Sequence, residues 1–361
     1  MRTRTVRLEL VTPAFLGGAD QSSEWRTPPI KAMLRQWWRV WAAAEFGSDW
    51  KTLREIEGVV FGHAALKHNG RAWHTRSPVS LRLRHTRPRP MHDWQPIGKV
   101  FHPEAGKGAG GMNVGADLYL GYGPLEYKGR TKLKAPPALD TGSSGDLLLR
   151  YPEKLAVDEL TSVDVDAALS AALKLAQLFG TVGSRSRNGW GSLEILHERA
   201  PLVPESAIQD LAQAHARPMA ECVGLEWPHA IGTDQKGLLL WRTKRTFRSW
   251  GEAMKELARV KIAFRTPLDA GLDRLLLAYP VTHHTLTEWG NTSRLANQLR
   301  FKIHRTGDVG FQGWAFHLPC GLPEKLLQKL PGSMRRTLGP GGLGIWQKVH
   351  GVLDNEMERL A

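Results

Sequence analysis

Cysteine is nearly absent from this chain. Cys222 and Cys320, two residues in 361 and far apart, exclude a small secreted scaffold framed by disulfides. No run approaches the roughly 18 consecutive apolar residues needed to cross a bilayer. Arg7 and Glu9 interrupt what would have to be the core of a signal peptide, so the expected compartment is a reducing cytoplasm. Chemistry-bearing motifs are equally scarce. There is no C-x-x-C pair, no H-E-x-x-H, no EF-hand loop and no G-x-x-x-x-G-K-[ST], and the 14 histidines do not fall at zinc-ligand spacing. No metal, cofactor or catalytic residue is assigned on this basis. His283-His284 is the most conspicuous histidine pair, but neighbours on a strand point to opposite faces and do not cooperate.

Acidic residues are also short. Against 49 Lys and Arg stand 35 Asp and Glu, a net charge of +14 that makes a polyanion the first partner to consider. Apolar residues make up 42% of the chain and 14 are Trp, enough for a core without disulfides or a structural metal. A wholly disordered chain is thereby excluded. At roughly 100–200 residues per domain the length suggests two domains or three.

Residues 3–11 alternate, with Val6, Leu8 and Leu10 opposite Arg7 and Glu9, and predict a half-buried strand. A helix is expected from Pro28-Pro29 to Phe46, ended by Gly47, and a shorter one over 53–61 before Gly62. Strand-like runs follow at 79–84, 118–122 and 147–151. Ser162 or Asp164 is placed to cap a helix whose stripe runs through Leu169, Ala172, Leu173, Ala176 and Phe179 to Gly180. After a loop, 190–196 reads as a strand. The second half has the same grammar: strand 237–242, helix 249–260, a strand-like run at 275–280, a hairpin over 301–318 and helices from Pro323. The expected class is α+β, with antiparallel sheets carrying helices on one face and the ferredoxin-like β-α-β-β-α-β motif in each half. The domains would be 1–200, with a Gly/Pro-rich insertion at about 87–146, and 219–361, the seam falling at 201–218.

Three segments concentrate cations. On the first helix Lys31, Arg35 and Arg39 recur every four residues beside Trp38, with no acid between Arg26 and Glu45. Cations about one turn (~5.4 Å) apart can follow successive phosphates of one strand, although the row equally suits a solvated face or an acidic protein. Residues 183–191 combine Gly183, Gly189 and Gly191 with Ser184, Arg185, Ser186, Arg187 and Asn188. Glycines free backbone N–H groups for an anion and arginines add bidentate donors; a surface turn is the bland alternative. Arg82 and Arg84 share one face of a strand, as an RNA ladder or as charge that blocks edge pairing. Trp190 reads as core. Asp20 is the acid placed to meet a passing phosphate backbone, though a loop-turn role suits it better.

Thr12-Pro13-Ala14-Phe15-Leu16-Gly17-Gly18-Ala19-Asp20, followed by Arg26-Thr27-Pro28-Pro29-Ile30-Lys31-Ala32-Met33-Leu34-Arg35-Gln36-Trp37-Trp38-Arg39, resembles the N-terminal signature of the RAMP superfamily. More narrowly, it is similar to the first-subunit family of the type III-B (Cmr) CRISPR effector. That pattern reads T-P-x-F-x-G-G after the first strand and P-P-x-I/L-K-G-x-L-R-x-W-W-R on the first helix; Ala32 replaces its usual glycine. Residues 183–191 resemble the family's glycine-rich loop. Ser293-Arg294-Leu295-Ala296-Asn297-Gln298-Leu299 resembles its R-x-A-S-P-L region, with Asn297-Gln298 in place of Ser-Pro.

The resemblance implies two ferredoxin-like (RRM-like) domains and a place near one end of a filament of RAMP subunits that holds guide RNA and its paired target RNA. It implies a non-catalytic subunit whose first helix and glycine-rich loop line the RNA track. The RNA-binding set is then Lys31, Arg35, Trp38, Arg39, Gly183, Ser184, Arg185, Arg187 and Asn188. Gly17, Gly18, Arg26, Arg82, Arg84 and Arg294 form a wider set. Two other classes stay open: a metal-independent endoribonuclease that processes CRISPR precursor RNA, and a protein-only scaffold.

Overall fold

A computed structural model describes the backbone of residues 1–18, 20, 22–68, 71–106, 110–134, 138–159, 161–269, 271–280, 285–307, 310–339 and 342–360, and their side chains except at 65–68, 71–73 and 337. His283 and His284 lie outside the described residues. The chain divides into two compact units. The first comprises Met1–Met91, Pro136–Ser184 and Gly191–His215; the second comprises His92–Ala135, Arg185–Trp190 and Ala216–Ala361. Most of the Gly/Pro-rich stretch, residues 92–135, therefore groups with the second unit, as do residues 185–190 of the glycine-rich loop.

In the first unit, β1 (Arg2–Leu10) leads to α1 (Thr27–Phe46) and α2 (Trp50–Phe61). Then come β2 (Ser80–Arg87), β3 (Ser144–Tyr151), α3 (Val165–Phe179) and β4 (Leu193–His197). The strands lie in the order β4-β1-β3-β2, every pair antiparallel. Alternation places Val6, Leu8 and Leu10 of β1 on one face with Leu147, Leu149, Leu193 and Ile195, all buried. Helices α1 and α3 pack together against this sheet, and the Trp37 and Phe179 rings meet at 5.4 Å. Prolines occupy the first turn of α1, and Gly47 ends it at φ 83, where a side chain would be strained. Asp164, not Ser162, caps α3 by accepting from Ala167 N at 2.9 Å.

The second unit repeats this connectivity. It runs β5 (Leu240–Arg242), α4 (Trp250–Arg265), β6 (Leu299–Thr306), β7 (Gly310–His317), α5 (Leu343–Glu356) and β8 (Glu358–Arg359). Its order β8-β5-β7-β6 is again antiparallel throughout, and α4 packs on α5. The chain is thus α+β with antiparallel sheets and helices, as expected.

Two expected strands are helices. Residues 118–122 fall largely within Ala116–Gly121 and 275–280 partly within Leu272–Leu277. A run of five or six apolar residues has no readable period, and tertiary contacts decide it. At the first of these, buried Asp117 accepts from Trp94 Nε1 at 2.7 Å and from Leu118 N at 2.8 Å, which anchors the helix start.

Candidate nucleic-acid interface

In the first unit the cationic row of α1 is engaged by its neighbours. Arg35 Nε donates to Glu57 Oε1 at 2.5 Å. Arg39 donates to the same carboxylate through Nε at 2.6 Å and Nη2 at 2.8 Å. Glu57, on α2, is buried, and both arginines keep more than a third of their side-chain surface, 37% and 38%. Lys31 Nζ donates to Phe61 O at 2.9 Å and Ser77 Oγ at 3.0 Å; burial and then Arg35 pull its pKa down. Trp38, expected among the RNA-binding residues, has no surface to offer RNA. It is fully buried, edge-on to Phe61 at 5.8 Å, because its position on α1 faces the core as Trp37 does.

Arg82 and Arg84 do share the exposed face of β2, which is the edge strand of its sheet. Arg26, exposed, precedes the first turn of α1 and makes no side-chain cap. Gly17 and Gly18 form a tight turn in which Gly18 N donates to Ser22 O at 2.7 Å. Asp20 supports that turn. It accepts from Ser22 Oγ at 2.6 Å and Ser22 N at 3.0 Å, and these bonds lower its pKa.

Part of the glycine-rich loop's backbone is already bonded within its own unit. Ser184 N donates to Phe15 O and Gly191 N to Pro13 O in the first unit. In the second, Asn188 N donates to Arg185 O and Gly189 N to Ser186 O. Gly183 and Gly191 serve close approach: a Cβ would meet Phe15 O at 2.7 Å and Val182 O at 1.9 Å respectively, with φ at 91 and 64.

Within the second unit, Arg185 is exposed with φ 56. Arg187 donates to Asn297 O at 3.1 Å, and burial lowers its pKa. Asn188 is buried, donating to Leu120 O at 2.7 Å and accepting from Lys261 Nζ at 2.9 Å. Trp190 is core, edge-on to Trp94 and Trp250. Arg294 is exposed but folded back, donating to the carbonyls of Asn291 and Ser293 at 2.7 Å each.

No family model matches this chain. Two curated proteins of Pyrococcus furiosus do: CRISPR system Cmr subunit Cmr1-2, 39% identical over 56 residues, and Cmr subunit Cmr1-1, 27% identical over 203 residues. The chain is homologous to Cmr1. These matches cover 15% and 56% of the chain, and 30% and 48% of the relatives, so the chain spans at most about half the length of the curated relatives it matches. Crystalline apo Cmr1 from Pyrococcus furiosus is similar at TM-score 0.44 and 17% identity, covering 90% of each chain. A chain of the type III-B Cmr-beta assembly bound to cognate target RNA and AMPPnP is similar at TM-score 0.48 and 9% identity, covering 96% and 99%.

Several polar residues of this chain matter that sequence reasoning passed over. Glu57 sits in a short amphipathic helix and has no sequence signal of its own. Lys261 lies on the core side of α4, where periodicity gives no hint of a hydrogen-bond partner 73 residues away. Arg300 is buried; its Nε and Nη2 have no hydrogen-bond partner among the described residues, and burial followed by Arg187 pulls its pKa to about 9. His317 Nδ1 and His350 Nε2 lie 3.0 Å apart in the core. Burial pushes the Cys222 and Cys320 thiols up, to about 12 and about 11, away from thiolate chemistry. Among the described residues no group of three His, Cys, Asp or Glu is placed to hold a metal, and no helix is long and apolar enough to cross a membrane.

Proposed function

We propose that this chain is a non-catalytic RNA-binding subunit of a type III-B CRISPR effector in the cytoplasm, holding the backbone of guide RNA and paired target RNA beside other RAMP subunits. The observation that carries this reading is the sequence homology to Cmr1. The excess of cations, and the exposed Arg82, Arg84 and Arg185 that face solvent, support it. Each unit is read as a ferredoxin-like (RRM-like) domain, on the β-α-β-β-α-β connectivity and the shared strand order. Recognition would be of phosphates, with sequence left to base pairing, by analogy with other guided systems.

The test is fluorescence anisotropy of labelled single-stranded RNA with the purified chain at several salt concentrations. Sequence-tolerant binding is expected, with a salt slope that falls by roughly 1–2 in Arg82→Ala/Arg84→Ala. Substituting α1 is a poorer probe, since Arg35 and Arg39 also neutralise Glu57. No RNA binding would overturn the reading. Metal-independent cleavage of repeat RNA under single-turnover conditions in EDTA would replace it with the ribonuclease.

A further inference from the structure

Around α4 the second unit gathers cations that no carboxylate among the described residues pairs with. Lys261 and Arg265 stand one turn apart on α4, both half-buried. Lys261 Nζ donates to Asn188 Oδ1 at 2.9 Å and lies 5.7 Å from the centre of the Tyr119 ring. From the glycine-rich loop Arg185 reaches over the turn at Gly123, where a Cβ would come within 3.4 Å of its Nη2. The surrounding groups do not relieve this charge. His102 packs edge-on against Tyr119 at 5.6 Å, and Glu104 is held by Arg274 through two bonds of 2.6 Å. Burial first, then Arg265 and Arg185, pull the pKa of Lys261 down to about 7. Three cations drawn together at the cost of desolvation and mutual repulsion are unfavourable for folding alone. An anion placed among them removes the repulsion, and a phosphate oxygen accepts from ammonium and guanidinium alike.

We propose that Lys261, Arg265 and Arg185, walled by Tyr119 and Asn188, form a phosphodiester-binding subsite for single-stranded RNA. It rests on the RNA-binding reading above and adds to it residues of α4. The loop supplies one cation, and the helix behind it supplies two more. Occupation draws a proton onto Lys261, because a phosphate favours the ammonium that Arg265 and Arg185 disfavour.

The experiment is RNA anisotropy with the full chain from about pH 6 to pH 8.5, comparing wild type, Lys261→Met/Arg265→Ala and Lys261→Arg, with thermal unfolding of each in the absence of RNA. The double variant should bind roughly tenfold more weakly with a salt slope lower by about 1–2, and should unfold no earlier than wild type. Wild-type affinity should fall as pH rises through about 7. Lys261→Arg should keep the affinity and lose that fall, a result that a merely structural lysine would not produce. If wild type binds RNA and the double variant matches it in affinity and pH profile, the subsite is wrong while the RNA reading stands. If inorganic phosphate quenches the pH dependence but RNA does not, the site takes free anions only. If wild type binds no RNA, the RNA reading itself fails, and the subsite with it.

Discussion

Glu57 shows how a single buried carboxylate redefines a row of cations. Arg35 and Arg39 both donate to it, so their removal strands a charge that water reaches poorly. Both arginines are more than a third exposed, so solvent screens the pairs and moderates the cost. Arg35→Ala/Arg39→Ala is expected to lose about 1–3 kcal/mol in urea unfolding, and adding Glu57→Met should return most of it. Equal stability of the double and triple variants would mean that the carboxylate is hydrated instead. Gly191 is a stricter case. Its φ of 64 and the 1.9 Å from a would-be Cβ to Val182 O leave no room for a side chain. Gly191→Ala is expected to cost about 3 kcal/mol or more, read as a fall in midpoint temperature, whereas Gly129→Ala, with nothing within 4 Å of the would-be Cβ, should pay only for its own positive φ.

At the level of elements, long segments with clear periodicity are the legible ones. The alternation of β1, the prolines and Gly47 bounding α1, and the stripe of α3 all correspond to what formed. The cap of α3 was ambiguous between Ser162 and Asp164, and geometry selects Asp164. Asp164→Ala should therefore cost about 1 kcal/mol while Ser162→Ala is nearly neutral, measured by chemical denaturation. Short apolar runs were not legible. Ala116–Gly121 and Leu272–Leu277 became helices because their contacts, such as Asp117 with Trp94, lie outside any local window. The same limit hid the burial of Trp38, since a wide apolar face does not mark its own edges.

For the whole molecule, two units with the same strand order share out the basic residues differently. In the first, α1's cations are bound to Glu57 and to backbone; in the second, Lys261, Arg265 and Arg185 are left without a carboxylate partner among the described residues. Global stability should also carry a pH signature from the second unit. Burial holds His350 down to about 4 and His317 well below its ordinary value. A base whose folded pKa is depressed takes up protons on unfolding, so its contribution is complete above about 6.5 and shrinks as pH falls toward 4. His350 alone should cost about 3 kcal/mol over that interval. Urea midpoints at pH 7, 5.5 and 4.5 would check this, with His350→Gln flattening the slope; an unchanged slope in that variant would assign the acid sensitivity elsewhere.

Local information determined the class of this protein. Alternation and helical stripes follow from backbone geometry, caps and glycines from the needs of chain ends, and the excess of cations from composition; each can be read in a window of residues or in a sum. Pairing was decided only by the tertiary structure. Whether a cation is neutralised depends on what sits opposite it, and Glu57, Asn188 and Tyr119 reach their partners across intervals of 18 to 142 residues that no pattern encodes. For that reason the helix with the clearest cationic row proved the more occupied, and the quieter second half holds cations that no carboxylate among the described residues pairs with.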